Sequence, residues 1–173
     1  MSKRYEIRFS GSGGQGIILA SIILTEAALV AGYNAVQSQS YGPEARGGLC
    51  RAEIIIAEGD IGFTKVVTPS FLLALTQSSL EKYASVVPDE CVVLADASLD
   101  VPNRKNFISA PIIQTAKEKV GKAFTANIVA LGVINSIMKF VPQSALEEAV
   151  KKYIPKGTEE LNMLALKEGA KLK

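Results

Sequence analysis

The sequence contains no histidine, and only two of its 173 residues are cysteine. Histidine is the commonest general base, metal ligand and member of a catalytic triad, so its absence argues against a self-sufficient hydrolase or metalloenzyme. Cys50 and Cys91 stand alone and far apart, whereas zinc and iron–sulfur sites need thiolates or imidazoles clustered at fixed spacings. We therefore expect both cysteines to be buried core residues, and we expect neither a metal site nor catalytic residues in this chain.

The chain also lacks an excess of charge of either sign and a long apolar run. Its 19 basic and 17 acidic residues give a net charge of +2, too balanced for a surface that binds nucleic acid or an anionic membrane. The most apolar stretch, residues 16–30, is interrupted by Ser21, Thr25 and Glu26 and does not predict a membrane span. Residues 1–9 contain no apolar segment that resembles a secretory signal. We expect a cytoplasmic protein.

The amino-acid composition is typical of a globular protein, with 48% hydrophobic and 21% charged residues. A chain of this length buries a substantial core without disulfides or metal ions. No internal repeat, low-complexity tract or linker divides it. We therefore expect one domain over residues 1–173.

Hydrophobic periodicity in the first part of the chain predicts alternating strands and helices. Residues 5–9 predict a strand, residues 15–31 a helix that ends before Gly32, and residues 34–37 a second strand. Such a unit predicts neighbouring parallel strands joined by a right-handed crossover. Residues 38–48 are polar, rich in glycine and predicted to form a loop.

A β-hairpin is predicted next, because residues 51–57 and 61–67 are rich in β-branched side chains and flank the turn sequence Glu58-Gly59-Asp60. The remaining predicted elements are strands at 71–76, 91–95 and 107–110, a helix at 77–83 capped by Thr76, and helices at 126–140, 144–153 and 159–170. The expected fold is α/β: three α/β/α layers with a mostly parallel sheet, a β-hairpin insertion and a helical C-terminal third.

The turn between the first strand and helix, Gly11-Ser-Gly13-Gly14-Gln15-Gly16, fits the pattern G-x-G-x-x-G. Glycine permits positive φ there and lets a phosphate approach backbone N–H groups at the positive end of a helix. The same pattern also occurs as a tight turn without a ligand. A dinucleotide site needs Asp or Glu about 20 residues further on, where this sequence has Val36-Gln37-Ser38-Gln39. An NAD(P) site is therefore disfavoured.

Polar residues in the loop and at a later helix are further candidates. Arg46 could clamp a carboxylate or phosphate, or could pair with Glu44. Tyr41 could stack on a ligand or be buried in a subunit interface, and the interface is favoured. Gly47 is predicted to allow a backbone turn or the close approach of a partner chain. Asn127, at the start of a predicted helix, could contact the glycine turn or a ligand, although helix capping is the slightly simpler account.

Together, the glycine turn and the loop Gln39-Ser-Tyr-Gly-Pro-Glu-Ala-Arg-Gly-Gly48 resemble the gamma subunit of 2-oxoacid:ferredoxin oxidoreductases. The resemblance extends to residues 124–132 and 160–169, and so covers most of the chain. The loop is most similar to the 2-oxoglutarate branch of that family. The implied reaction converts 2-oxoglutarate, coenzyme A and oxidised ferredoxin to succinyl-CoA, CO2 and reduced ferredoxin.

The same resemblance implies that thiamine diphosphate, Mg2+ and the iron–sulfur clusters lie on alpha, beta and ferredoxin-like subunits, with ferredoxin as electron acceptor and coenzyme A as co-substrate. The residues that this chain would contribute near those cofactors are Gly11, Gly13, Gly14, Gln15, Gly16, Tyr41, Glu44, Arg46, Gly47 and Asn127. Three alternatives stay open: the same role in a pyruvate, branched-chain or indolepyruvate enzyme, a free-standing nucleotide-binding α/β module, and a homo-oligomeric scaffold.

Overall fold

The computed structural model describes residues 3–40 and 48–172. In chain order, the elements are β1 (Arg4–Ser12), α1 (Ile17–Val30), β2 (Asn34–Ser40), β3 (Leu49–Ala57), β4 (Phe71–Ala74), α2 (Gln77–Ala84), β5 (Val92–Asp96), β6 (Phe107–Ala110), α3 (Ile112–Thr115), a π-helix (Ala116–Val120), a 3-10 helix (Ala123–Thr125), α4 (Ala126–Met138), α5 (Gln143–Tyr153) and α6 (Glu159–Ala170).

The strands form one six-stranded sheet in the order β2-β3-β1-β4-β5-β6. The pairs β1–β4, β4–β5 and β5–β6 are parallel, whereas β3 is antiparallel to both β1 and β2. The expected α/β class with a mostly parallel sheet is confirmed. The prediction that the first two strands are neighbours is wrong, because β3 lies between them.

The hairpin predicted across Glu58-Gly59-Asp60 does not form, because residues 61–67 are not in a strand. The apolar side chains in that segment do not behave as one face of a strand: Val66 is buried, but Phe63 and Val67 are exposed. β3 instead hydrogen-bonds along its length to β1 and β2. Its insertion between two parallel strands buries both of its edges.

The segment after β3 is held against the sheet by the Glu6 carboxylate, which accepts hydrogen bonds from the N–H groups of Val67 (2.8 Å) and Thr68 (2.9 Å). Burial alone would raise the pKa of Glu6. The two N–H groups and the Arg4 guanidinium outweigh it and hold the pKa below its ordinary value.

Helices cover both faces of the sheet, which confirms the three predicted layers. One apolar cluster joins the sheet to α1 and the C-terminal helices, with Ile7, Ile54, Leu73 and Leu94 on the strand side. The cluster on the opposite face joins the sheet to α2 and is formed by Leu72, Ala74, Val93, Ala95, Leu80, Tyr83, Ala84, Val87 and Cys91. Successive residues of β4 and β5 point to opposite faces of the sheet, so they belong in turn to one cluster and then to the other.

The C-terminal third is helical, as predicted, and α4 packs closely on α6. A Cβ added at Gly132 would lie 2.8 Å from the Ala170 nitrogen, and one at Gly169 would lie 2.9 Å from the Val129 carbonyl carbon. Both positions require glycine because backbone atoms occupy the space of a side chain. None of the helices in residues 3–40 and 48–172 combines the length and apolar character that a bilayer span requires.

Several predicted boundaries are wrong by a few residues. β2 runs to Ser40, so residues 38–40 belong to a strand and not to the predicted loop. α4 ends at Met138, two residues before the predicted end, because Lys139 takes a left-handed conformation with φ of 52°. Gly32 does follow α1 with φ of 89°, and Thr76 does cap α2 by accepting a hydrogen bond from the Ser79 N–H.

Candidate functional site

The glycine turn lies at the carboxyl end of β1, where the chain of a doubly wound sheet changes direction. β1 leads into α1 on one face of the sheet, and its parallel neighbour β4 leads into α2 on the other face. In open α/β sheets, ligands bind in the crevice outside the strand ends at such a switch point. The position of the turn therefore suits a binding site.

The side chain of Gln15 occupies this crevice. Its Oε1 accepts a hydrogen bond from the Ser12 N–H (2.8 Å), and its Nε2 donates to the Leu75 carbonyl oxygen (3.3 Å) just beyond β4. A Cβ at Gly11 would collide with Gln15 Oε1 and would lie 3.0 Å from Ile17 Cδ1. The glutamine amide thus joins the ends of β1 and β4 within the chain, in the space where a ligand would lie.

Asn127 fills the other side of the turn. Its Nδ2 donates a hydrogen bond to the Gly16 carbonyl oxygen (3.3 Å), while its Oδ1 accepts one from the Ile128 N–H (2.9 Å). Gly16 has φ of 73°, and a Cβ there would lie 2.9 Å from Asn127 Cγ. The structure therefore contains the contact between Asn127 and the turn, which was one of the two roles that the sequence left open. The asparagine side chain is buried.

At the tip of the turn, no described residue lies within 4 Å of a Cβ built at Gly13 or Gly14, and Gly14 has φ of 86°. The Gly13 N–H donates to the Gly48 carbonyl oxygen (3.1 Å). The Ser12 N–H is also bonded within the chain, whereas no side chain caps the N–H groups in the first turn of α1.

The predicted loop residues Tyr41, Glu44, Arg46 and Gly47 lie outside the described residues. The described ends of that segment are Ser40, the last residue of β2, and Gly48. Since Gly48 is hydrogen-bonded to Gly13, the end of the loop and the glycine turn are adjacent. This adjacency supports the expectation that both belong to one surface.

The two cysteines are not reactive groups of this site. Cys50 lies opposite Gly11 in the β1–β3 ladder and is half-buried, while Cys91 is buried under α2. Burial raises the pKa of the Cys50 thiol, and it raises the pKa of Cys91 to about 11 against the opposing charges of Arg104 and Arg8. In the part of the chain that the structure describes, no three His, Cys, Asp or Glu side chains converge to hold a metal ion.

A groove of about 1100 Å3 lies elsewhere, between α2 and residues 100–106, and shares no residue with the glycine turn. Arg104 at its edge donates hydrogen bonds to the carbonyl oxygens of Ala84 (3.0 Å) and Cys91 (3.2 Å). These bonds stabilise the end of α2, so the arginine has a structural role. We do not assign the groove to the candidate site.

One cluster of charged residues was not singled out from the sequence. Arg8 donates from Nε (2.8 Å) and Nη2 (2.7 Å) to Glu53 Oε1, and Arg51 Nε lies 3.9 Å from the same oxygen. The sequence feature that could have revealed this cluster is the occurrence of charged residues inside the predicted strands 5–9 and 51–57. Charges in the middle of half-buried strands indicate partners on neighbouring strands.

The fold and the turn define a class of protein: a doubly wound α/β chain whose switch-point crevice is filled by its own amide side chains and whose glycine tip, among the described residues, leaves room for a Cβ. Comparison with known proteins identifies the family. The chain belongs to the pyruvate ferredoxin/flavodoxin oxidoreductase family, whose model matches residues 6–172.

Individual relatives are similar over nearly their whole length. The chain is 41% identical to the 2-oxoglutarate synthase subunit KorC of Methanothermobacter marburgensis, with 98% of this chain and 96% of that protein covered. It is 42% identical to the KorC subunit of Methanothermobacter thermautotrophicus, with 98% and 95% covered. The solved gamma subunit of a keto/oxoacid ferredoxin oxidoreductase from Geobacter sulfurreducens matches with a TM-score of 0.88 at 43% identity, over 98% of this chain and 96% of that one. The gamma-type resemblance seen in the two loops is confirmed.

Proposed function

We propose that the chain is the gamma subunit of a 2-oxoglutarate:ferredoxin oxidoreductase, an enzyme that forms succinyl-CoA, CO2 and reduced ferredoxin from 2-oxoglutarate, coenzyme A and oxidised ferredoxin. The observation that carries the proposal is the similarity at 41–42% identity to two KorC subunits over 98% of the chain. Similarity of that extent favours a shared role over a shared fold alone.

The chemistry of the described residues supports a subunit that depends on partners. Thiamine diphosphate would form the bond to the 2-oxoacid, and iron–sulfur clusters would carry the electrons. The described residues do not fit a cluster or a metal ion, because Cys50 and Cys91 are the only thiols and they lie in separate apolar clusters of the fold. We therefore propose that alpha, beta and ferredoxin-like subunits hold these groups, and that ferredoxin accepts the electrons.

The part of this chain in the reaction would be to shape the assembled site. Gly11, Gln15, Gly16 and Asn127 would hold the turn rigid through contacts inside the chain, and no chemical step is assigned to them. Gly13 and Gly14 would form the surface that coenzyme A or a neighbouring subunit approaches, because no described residue comes within 4 Å of a Cβ at either position. Tyr41, Glu44, Arg46 and Gly47 would extend that surface.

Reconstitution tests the proposal. The chain is produced with its alpha, beta and ferredoxin-like subunits, and ferredoxin reduction is measured with 2-oxoglutarate, pyruvate, 2-oxoisovalerate and indolepyruvate in the presence of coenzyme A. We expect activity in the complete complex only, with the largest kcat/KM for 2-oxoglutarate. A preference for another 2-oxoacid would assign the chain to that branch of the family, and turnover by the isolated chain would overturn the subunit role.

If the chain is instead a free-standing nucleotide-binding module, the isolated chain should bind a nucleotide without any partner subunit. This alternative rests on the G-x-G-x-x-G turn at the start of an uncapped helix. Against it, β3 separates β1 from β2, and Gln15 fills the crevice. Calorimetric titration with NADH, NADPH, ATP and coenzyme A separates the two functions, because micromolar binding of a dinucleotide would support the free-standing module.

A further inference from the structure

Arg51 differs from every other arginine in the described residues. Arg4, Arg8 and Arg104 each donate at least two hydrogen bonds from the guanidinium to protein oxygens. Arg51 makes no guanidinium hydrogen bond within the described residues, and its Nε, like that of Arg104, is buried without an acceptor. Buried N–H groups in native proteins are normally paired, because an unpaired N–H loses its bond to water without replacement.

The contact that Arg51 does make is shared. Its Nε lies 3.9 Å from Glu53 Oε1, the oxygen that already accepts two shorter hydrogen bonds from Arg8. The side chains of Arg8 and Glu53 are 12% and 11% exposed, so water screens this cluster poorly. Two guanidinium charges therefore share one carboxylate oxygen, and one positive charge is left without compensation among these three residues.

The location suits a ligand from outside the chain. Ala52, Ile54 and Ile56 of β3 pack towards α1, so Arg51 lies on the opposite face of the sheet. The Arg51 side chain is 30% exposed and can be reached from solvent. On the same face, the Arg8 guanidinium lies 5.2 Å from the centre of the Tyr83 ring, which fixes that side of the cluster.

The row of residues beside Arg51 is also polar. Its neighbours across the ladder are Ser10 in β1 and Ser40 in β2, and residues directly opposite each other lie on the same face. The glycine turn begins at Gly11, the residue after Ser10. The cluster is thus one row away from the candidate site but shares none of its residues.

We propose that Arg51 anchors an oxyanion-binding site on the face of β3 opposite α1, with Arg8 adding positive charge and Glu53 orienting both guanidinium groups. The planar guanidinium fork matches two oxygens of a carboxylate or a phosphate. The oxyanion comes either from a small phosphorylated or carboxylated molecule or from an acidic side chain of a neighbouring subunit. In both cases it supplies the negative charge that Arg8, Arg51 and Glu53 lack among themselves.

The first test uses the full chain alone and does not depend on the proposed function. Inorganic phosphate is titrated at constant ionic strength, and the arginine Nε–Hε signals are followed by NMR. A saturable shift of the Arg51 signal in the wild type supports a small-anion site if the phosphate affinity, followed in both proteins by the Arg8 Nε–Hε signal, weakens at least tenfold in Arg51→Gln. Arg4→Gln is the matched control, because Arg4 lies on the same face of β1 but is paired with Glu6 at 3.0 Å. Shifts confined to the Ile17, Ile18 and Leu19 amides would instead indicate binding at the start of α1.

Glu53→Gln provides a readout that a purely structural cluster would not give. Loss of the competing carboxylate leaves both guanidinium charges to the ligand, so phosphate affinity should rise several-fold. Circular dichroism checks that the variant folds. Unchanged phosphate affinity in folded Glu53→Gln, together with an unchanged affinity in Arg51→Gln, would overturn the small-anion site.

The second test covers the other source of the oxyanion. In the reconstituted complex, Arg51→Gln should weaken association with the partner subunits at least tenfold and reduce its salt dependence, whereas Arg4→Gln should do neither. A loss in assembly without phosphate binding assigns the oxyanion to a partner side chain. If the wild-type chain does not assemble, the proposed function fails and the NMR titration alone decides. The inference is overturned if the wild-type chain binds no phosphate and Arg51→Gln causes no assembly defect.

Discussion

The base and the tip of the glycine turn differ in what surrounds their glycines. At the base, a Cβ on Gly11 or Gly16 would meet Gln15, Ile17 or Asn127, whereas at the tip no described residue lies within 4 Å of a Cβ on Gly13 or Gly14. One short motif thus uses the same residue type for two physical reasons. The base requires glycine for close packing inside the chain, and the tip leaves space for something outside it.

The difference explains why the turn resembles a dinucleotide fingerprint without behaving as one. In such a site, glycines let the backbone approach a pyrophosphate. Here the amide groups of Gln15 and Asn127 make the corresponding polar contacts at the ends of β1, β4 and α1. The tip is then the part of the motif that faces outward, and substitutions at the base and the tip should separate stability from function.

The largest effect is expected for Gly16→Ala at the base. Alanine must adopt φ of 73° and place its Cβ 2.9 Å from Asn127 Cγ, which should lower the free energy of unfolding by about 2–4 kcal/mol. Urea unfolding at neutral pH measures the change. Gly32→Ala is the matched control, because Gly32 has φ of 89° with nothing within 4 Å, and it should lose only about 1–2 kcal/mol. Equal losses would mean that packing against Asn127 contributes nothing.

Asn127→Ala should have the next largest effect. The change removes the hydrogen bond to the Gly16 carbonyl oxygen and should cost about 1–3 kcal/mol. It also removes the group that the alanine at position 16 would strike. The double variant Gly16→Ala/Asn127→Ala should therefore lose about 1 kcal/mol less than the sum of the single changes, measured by the same urea unfolding. Strict additivity would contradict the close contact.

Gln15→Ala tests the bridge between β1 and β4. Without the side-chain amide, the Ser12 N–H and the Leu75 carbonyl oxygen lose their partner, at a cost of about 1–2 kcal/mol. Thermal or urea unfolding checks this loss. Gln114→Ala is the control, because Gln114 makes an exposed contact with Glu118 one helical turn away, worth about 0.2–0.5 kcal/mol. If Gln15→Ala lowers the free energy of unfolding as little as Gln114→Ala does, the bridge is not a stabilising contact.

Much of the fold could be predicted because its signals are local. The alternation in β1, the glycine after α1 and the capping residue Thr76 each depend on a few adjacent residues. The insertion of β3 between β1 and β2 could not be predicted, because strand pairing joins distant segments of the sequence and leaves no periodic signal. Residues 61–67 have β-rich composition, yet Phe63 and Val67 are exposed, so composition alone led to the wrong hairpin.

The candidate site was predictable as a motif but not as a set of contacts. Asn127 lies 111 residues from Gly16, and Gln15 lies 60 residues from Leu75. No local pattern shows that an amide side chain will reach across the fold to fill a crevice. Tyr41, Glu44, Arg46 and Gly47 stay predictions, and the Arg51 cluster emerged only when the register of β3 brought its charges together.

The smallest effect on stability, and the sharpest test of the tip, is expected for Gly13→Ala. Gly13 is not among the residues with positive φ, and its Cβ would meet no described residue within 4 Å, so the unfolding free energy should change by less than about 0.5 kcal/mol. In the reconstituted complex, however, the added methyl group would stand on the surface that we propose for coenzyme A or a neighbouring subunit. We expect kcat/KM for coenzyme A, or the affinity for the partner subunits, to fall about tenfold, the loss produced by 1.4 kcal/mol. Gly62→Ala, also with free space around its Cβ, should leave both unchanged, and wild-type behaviour of a folded Gly13→Ala complex would show that the tip is not an interface.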